Sequence, residues 1–215
     1  DLSLFLPGPA ATQLMADHGA RVIKVENPRA PEPTRSADAF PWQQGGETVM
    51  FRNTQRGKES IALDLKTDAG KRALLALAKQ ADVVIEAFRP GVAERLGINY
   101  ETLSAENPRL VYCSISACGQ TGPWRDNPAH DTATVAAAGI LDVSRSPEGE
   151  SGPAIIGVPI ADMLSSYLAL SGVLMALHRR HTTGRGDYVD ISMFESVLAA
   201  SPNLLGPVFG GGRAP

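Results

Sequence analysis

Ala81-Asp-Val-Val-Ile-Glu-Ala-Phe-Arg-Pro-Gly91 is the stretch that decides the fold. Its uninterrupted β-branched run, Val83 to Ile85, makes a short strand without polar alternation, the pattern of a strand buried on both faces. Pro90 then opens a small helix that Gly97 stops after Leu96. The same alternation repeats outward in both directions. Leu110 to Ser116 is a second apolar strand followed by a Gly- and Pro-containing loop, and Tyr188 to Ser192 a third that leads into a helix, Met193 to Ala200. Upstream, Arg21 to Val25 and Ser60 to Leu63 read as strands. Helices fill the intervals: Pro9 to His18, bracketed by Pro9 and Gly19, and Tyr100 to Glu106. Another runs to about Gln80, capped by Thr67, with Ala69, Ala73, Leu74, Leu77 and Ala78 on one side. Ala133 to Leu141 follows, and Asp162 to His178, closed by Thr183-Gly-Arg-Gly186, is the longest. Asn27 to Gly46, rich in Pro, Ala and Gly, reads as a long surface loop. The fold class is therefore α/β, a doubly wound parallel sheet covered on both faces. Ligands in such sheets sit beyond the carboxyl ends of the strands, so the loops after Ile85 and Ser116 are where chemistry is expected.

Composition narrows the function classes. With 215 residues, 43% hydrophobic and 20% charged, the chain can bury one sizeable core and part of a second. A net charge of −3 lacks the basic excess of nucleic-acid binders, so no nucleic-acid partner is expected. No run is read as reaching the ~18 apolar residues of a membrane span, and Pro7 and Pro9 break the apolar start, so neither a membrane partner nor a signal peptide is expected. Cys113 and Cys118 make neither a disulfide framework nor a metal set; free thiols point to the cytoplasm. Both ends look cut. The expected organisation is a large domain over residues 1–200, with 201–215 starting a linker toward a smaller domain mostly absent from this chain.

Several local patterns could carry chemistry. Arg89, in a strand-to-helix loop beside the helix opened by Pro90, can hold a phosphate with its charge and nearby amides; a surface Arg in a Pro-Gly turn is the plainer alternative. No G-x-G-x-x-G follows a strand and no P-loop is present, which argues against a dinucleotide cofactor. Arg52, Arg56, Lys58 and Lys66 cluster around a short strand, as a solvated face or as an anion site. In Gly157-Val-Pro-Ile-Ala-Asp162, an apolar approach ends in a carboxylate at a helix start. N-capping explains that placement, and so does a carboxylate nucleophile or base in a nearly apolar pocket. His130, followed by Asp131 at the head of a helix, could act in acid–base chemistry.

Taken together, Pro7-Gly-Pro-Ala10, Leu14-Met-Ala-Asp-His-Gly-Ala-Arg-Val-Ile-Lys-Val-Glu26, Arg56-Gly-Lys-Glu-Ser-Ile-Ala-Leu-Asp-Leu-Lys66, Ala81 to Gly91, Asn107-Pro-Arg-Leu-Val111, Gly119-Gln-Thr-Gly-Pro123 and Thr183-Gly-Arg-Gly186 resemble the class III CoA-transferases, which also include alpha-methylacyl-CoA racemase. The resemblance runs nearly the whole chain. It implies a two-domain enzyme, an interlocked homodimer, whose Rossmann-like domain binds coenzyme A; acyl-CoA and a carboxylic acid acceptor are substrates, with no permanently bound cofactor and no metal. Leu63, Lys66, Ala87, Phe88, Arg89 and Arg95 fall on family CoA-contact positions, His130 and Asp131 beside the thioester site, and Asp162 on the catalytic aspartate. The implied activity is CoA transfer through an aspartyl covalent intermediate. A racemase pairing His130 with Asp162, and a non-catalytic CoA-binding dimerisation scaffold, are the alternatives. The family's CoA-contact Arg in the first long loop is Asn27 here, with Arg29 or Arg35 as possible substitutes.

Overall fold

The computed structural model describes residues 1–36, 42–144, 153 and 155–211. In chain order these form α1 (Pro7–Asp17), β1 (Ile23–Glu26), a 3-10 turn (Pro33–Arg35), β2 (Gln43–Gln44), β3 (Glu47–Thr48), α2 (Val49–Gln55), β4 (Glu59–Ala62), α3 (Asp68–Ala78), β5 (Val83–Glu86), α4 (Val92–Leu96), α5 (Tyr100–Glu106), β6 (Val111–Ser116), α6 (Asp131–Ala137), α7 (Ile140–Val143), α8 (Ile160–Thr183), β7 (Tyr188–Ser192), α9 (Met193–Ala199) and α10 (Pro202–Phe209). The last helix falls in the stretch read from sequence as the start of a linker. The architecture is mixed α/β with parallel sheets. β5, β6 and β7 run parallel, with Val84 opposite Tyr112 and Cys113 opposite Val189. β1 and β4 form a second parallel pair, and β2 with β3 a small antiparallel hairpin. Asp1 and Leu2 lie between the two parallel sheets. Asp1 N donates to Ile23 O (2.9 Å) and Val25 N to Asp1 O (2.8 Å), the spacing of a parallel ladder, while Leu2 N donates to Ile85 O (2.8 Å).

Alternation along the central strands feeds two separate cores. Ile85, Val111, Cys113 and Ile115 point to one face, where they pack with Ala11 of α1, Val135 of α6, Ala161, Ala169 and Val173 of α8 and Val197 of α9. Val84 and Tyr112 point to the other, against Leu74 and Ala78 of α3 and Leu103 of α5. Thr67 caps α3 as expected, accepting from Gly70 N at 3.1 Å, although Ala69 lies exposed rather than on the packed side. α8 can approach the sheet because residue 172 is glycine: a Cβ there would stand 2.8 Å from Val189 Cγ1. Outer β4 is exposed at every position, unlike the buried run expected of it.

Two expectations need correction. The long loop from Asn27 to Gly46 is partly structured, since Glu32 and Thr34 are buried and Pro33–Arg35 forms a 3-10 turn; residues 37–41 lie outside the described residues. And one helix, α8, is long and apolar enough to cross a membrane by length and composition, with a mean hydropathy of 1.6 over its most apolar window. Ser165, Ser166 and Ser171 lie within this run, and their hydroxyls bond to backbone carbonyls and cost a helix little. One face of α8 packs on the sheet, where its small residues Ala161, Ala169 and Ala176 join the cluster on the first sheet face, while Leu174 and Met175 on another face are exposed.

Candidate active site

The first residues of α8 hold the centre of the site. Pro159 occupies the N-cap position and supplies no side-chain cap. The acceptor comes instead from Asp131, thirty residues earlier, whose Oδ1 takes Ala161 N at 2.7 Å and Asp162 N at 3.2 Å. Asp162 is therefore not the cap that a purely structural reading made it; it is the third helical residue. Among the described residues its carboxylate has no hydrogen-bond partner. A helix N-terminus favours the anion, but burial and then the charge of Asp131 work against it and win, pushing the Asp162 carboxyl up to about 7. Near neutral pH it is divided between acid and anion, and as the anion it is more basic than an ordinary aspartate. Ser166, one turn on, places its Oγ 2.7 Å from both Pro7 O and Asp162 O, so its proton can bond α8 to the start of α1.

His130 sits at the N-cap of α6, one residue before Asp131, and is exposed. Its carbonyl accepts from Thr134 N and Oγ1, both at 3.0 Å, which fixes the backbone. Its ring meets Phe5 edge-on, centroids 5.6 Å apart at 76°. No hydrogen bond joins His130 to Asp162.

The residues expected to bind CoA form a second group. Phe88 and Leu63 pack against the same apolar cluster, though they come from loops after different strands, and Ala87 packs on the opposite cluster that includes Ala161. Glu86 sets the loop after β5: Phe88 N donates to its Oε2 at 2.7 Å, and Ser114 Oγ bonds its Oε1, with Tyr188 OH 3.1 Å from that hydroxyl. Burial outweighs these hydrogen bonds and raises Glu86 to about 7. Glu86, Arg89, Gly91, Tyr112, Arg125 and Tyr188 are among the residues lining a cavity of about 190 Å³ at the carboxyl ends of the strands. A Cβ built on Gly91 would lie 3.3 Å from Arg95 Nη1 and 3.9 Å from Arg125 Nη2, so two guanidinium groups converge there. Arg89, Arg95 and Lys66 are all exposed and none makes an ion pair among the described residues.

Other sequence readings of this region change. Helix α4 begins at Val92, not Pro90, and Val92 N is already given to Arg89 O (3.1 Å), so that amide is not free for a ligand. The basic cluster is partly taken up internally: Arg56 binds Asp17 (2.6 Å), Lys58 is buried against Asp1 (3.0 Å) and Arg52 donates to Gln44 O (3.1 Å), while Lys66 makes no ion pair among the described residues. Arg35 grips Glu26 (2.8 Å) and Arg29 meets Asp64 (2.6 Å), so neither is free to replace the missing family arginine without breaking a pair. Glu86 and Arg125 went unassigned from sequence. An acid closing an otherwise apolar parallel strand was the available signal for the first; Arg125, whose buried Nε has no hydrogen-bond partner among the described residues, had none.

Arg89→Ala should weaken CoA binding at least ~10-fold, the loss of a charge-assisted contact of ~1.5–3 kcal/mol. Titration calorimetry checks this, and unchanged affinity in a folded variant would remove Arg89 from the binding site.

Comparison with known proteins places this geometry. The model of CoA-transferase family III matches residues 1–215. The chain is 39% identical over its full length to an acetyl-CoA:oxalate CoA-transferase of Acetobacter aceti, covering 54% of that protein, and 38% identical over 95% of its length to a succinyl-CoA–D-citramalate CoA-transferase of Chloroflexus aurantiacus, covering 50%. A crystal structure of a CAIB/BAIF family protein from Brucella suis superposes with a TM-score of 0.92 at 34% identity, over all of this chain and 56% of that one. The chain thus spans about half the length of the curated relatives it matches. It belongs to CoA-transferase family III.

Proposed function

We propose that this chain is the CoA-binding, nucleophile-bearing portion of an acyl-CoA:carboxylate CoA-transferase. The observation that carries the reading is Asp162: a half-buried carboxylate without a hydrogen-bond partner among the described residues, raised to about 7, at the head of the longest helix. Its anion attacks the thioester carbonyl of acyl-CoA, forming a mixed anhydride and expelling CoA thiolate. The thiolate then attacks the Asp162 carbonyl, releasing the donor acid and leaving an aspartyl-CoA thioester. An acceptor carboxylate attacks that thioester to form a new anhydride and thiolate, and the thiolate takes the acceptor's acyl group, regenerating Asp162. Each step exchanges one acyl bond for another, so no redox partner or metal is required. Arg89, Arg95 and Lys66 are the cations we assign to the phosphates, with Leu63, Ala87 and Phe88 along the pantetheine path and Asp131 beside the thioester.

The strand arrangement supports a Rossmann-like domain. With Asp1–Leu2 counted as a strand, chain order steps outward through β1 and β4 on one side and through β5, β6 and β7 on the other. That is the doubly wound 3-2-1-4-5-6 order, with ligands at the switch point. We further assign an intertwined homodimer: Tyr167, Leu168, Leu174 and Met175 make an exposed apolar stripe along α8, up to 70% exposed at Met175, of the kind an assembly covers. A cytoplasmic setting accords with two free cysteines.

The test uses the full protein that contains this chain, incubated with a panel of acyl-CoAs and free acids, with products read by mass spectrometry. The same experiment in deuterated water separates transferase from racemase. With a 2-methylacyl-CoA and no acceptor, no deuterium should enter at C2; adding an acceptor should release free acid and a new CoA ester. Rapid C2 deuteration that His130→Ala abolishes would install the racemase.

A further inference from the structure

Glu86 closes β5 with an acid where Val83, Val84 and Ile85 are apolar, and it is only 2% exposed. Burial pushes its carboxyl up to about 7 against the pull of its hydrogen bonds, so an acid sits here at a cost to the fold. Both oxygens are engaged. Oε2 accepts Phe88 N at 2.7 Å, which turns the chain directly after the strand. Oε1 accepts the Ser114 hydroxyl, which in turn accepts Tyr188 OH at 3.1 Å. Other contacts pin the same loop: Ala87 packs on one core and Phe88 on the other, and Val92 N donates to Arg89 O at 3.1 Å. The backbone is thus fixed on both sides of Arg89, while its side chain is exposed and makes no ion pair among the described residues. Glu86 and Arg89 line the same cavity beyond the strand ends.

We propose that Glu86 is a positioning residue for coenzyme A: through the Phe88 amide it sets the loop that presents Arg89 before the ligand arrives, and Ser114 with Tyr188 holds the carboxylate to that task. The proposal rests on the reading of this loop as a CoA contact. A loop ordered in advance spares the ligand the cost of ordering it, so the effect falls on binding. An apolar side chain can fill the same space at the end of β5; it cannot accept the Phe88 amide. No hydrogen bond joins Glu86 to Asp162 among the described residues, so turnover at saturation does not depend on it.

The experiment compares wild type, Glu86→Leu, Glu86→Gln and Ser114→Ala in the full protein, at one pH above that at which Glu86 titrates. CoA affinity is read by titration calorimetry, and KM and kcat by steady-state kinetics with the acyl-CoA turned over fastest in the panel above. Hydrogen exchange of the Phe88 amide is followed by NMR without ligand. Glu86→Leu should weaken CoA binding about tenfold, the scale of one hydrogen bond to a charged group. KM should rise by about as much, with kcat within about twofold of wild type. Its Phe88 amide should exchange at least ~10-fold faster than in wild type. Glu86→Gln keeps an oxygen for Phe88 N and offers an NH2 to Ser114 Oγ, so affinity and exchange should stay within about threefold of wild type. Ser114→Ala, which frees Oε1 but leaves Oε2 in place, should weaken binding about threefold. Unchanged affinity in folded Glu86→Leu overturns the proposal; where that variant does not fold, unchanged affinity in Ser114→Ala does so. A loss in Glu86→Gln equal to that in Glu86→Leu overturns it too, as does a fall in kcat in place of the rise in KM. A wild type that binds no CoA while its Phe88 amide is protected overturns the CoA reading of the loop. One that binds CoA with an unprotected Phe88 amide overturns the positioning by Glu86.

Discussion

Replacing Asp162 with alanine should abolish CoA transfer, by at least ~10⁴-fold, the scale on which removal of a covalent nucleophile acts, while CoA still binds. In the proposed mechanism this carboxylate forms both the anhydride and the thioester, so its removal leaves no group to carry the acyl intermediates. Hydroxylamine added during wild-type turnover should leave a hydroxamate at Asp162, located by peptide mass; a substantial residual rate in the variant, or no trapped adduct, would remove Asp162 from the mechanism. The pH dependence follows from the same residue. Only the anion attacks, and the carboxyl stands at about 7, so kcat/KM should climb through an acid limb near that pH. Stability runs the other way. The folded-state value lies above the ~3.9 of an unfolded aspartate, so between about pH 4 and 7 the native state binds the extra proton. Stability therefore falls as pH rises through that window, and the penalty is fully present above it. Asp162→Asn should remove the penalty, ~1–3 kcal/mol for this incompletely buried group. Its melting temperature should exceed wild type at pH 8 and match it near pH 4. An inactive variant that is more stable only at high pH is the signature of a site residue kept at a cost to the fold.

How far the sequence alone carries depends on where each signal resides. Tyr100–Glu106 and Tyr188–Ser192 were legible residue for residue, because their boundaries are written in neighbouring side chains and turns. α8 runs on to Thr183, five residues past the His178 expected, up to Gly184 of the closing Thr183-Gly-Arg-Gly186, which takes the left-handed conformation a helix stop uses. Its N-terminus was placed at Asp162 rather than Ile160, since the capping carboxylate comes from Asp131 and leaves no trace nearby. α2, which starts three residues beyond the Pro- and Gly-rich stretch, was not assigned from the sequence, although Thr48 caps it in the ordinary way by accepting from Phe51 N. The helix expected over Ala133 to Leu141 is cut by Gly139, at φ 79°, into α6 and α7. The site divides along the same line. Residue types and motif order mark Asp162, His130 and Arg89, whereas the pairing that occupies Arg35, Arg56 and Lys58 is long-range. So is the burial that raises Glu86, and neither can be read from adjacent positions.

Asp131 offers the sharper test of how this site is built, because one oxygen performs two separable tasks. It accepts the first free amides of α8, and its charge helps hold the Asp162 carboxyl up. Asp131→Ala removes both: the uncapped helix start should cost ~0.5–2 kcal/mol of stability. The loosened Asp162 should lower kcat by ~10²-fold, since a misplacement of about an ångström can cost that much. Asp131→Asn keeps an oxygen acceptor and loses the charge. Its melting temperature should therefore stay near wild type, and most of kcat should return. In both variants the acid limb of kcat/KM should move to lower pH, but only part of the way toward an ordinary aspartate, because burial is the larger cause of the shift and survives the substitution. Melting curves and pH–rate profiles of the two variants distinguish the tasks. If Asn behaves as Ala does, the charge and not the hydrogen bond holds α8 in place. If instead the limb stays fixed in both while CoA affinity falls, Asp131 contacts the thioester directly and Asp162 is tuned by burial alone.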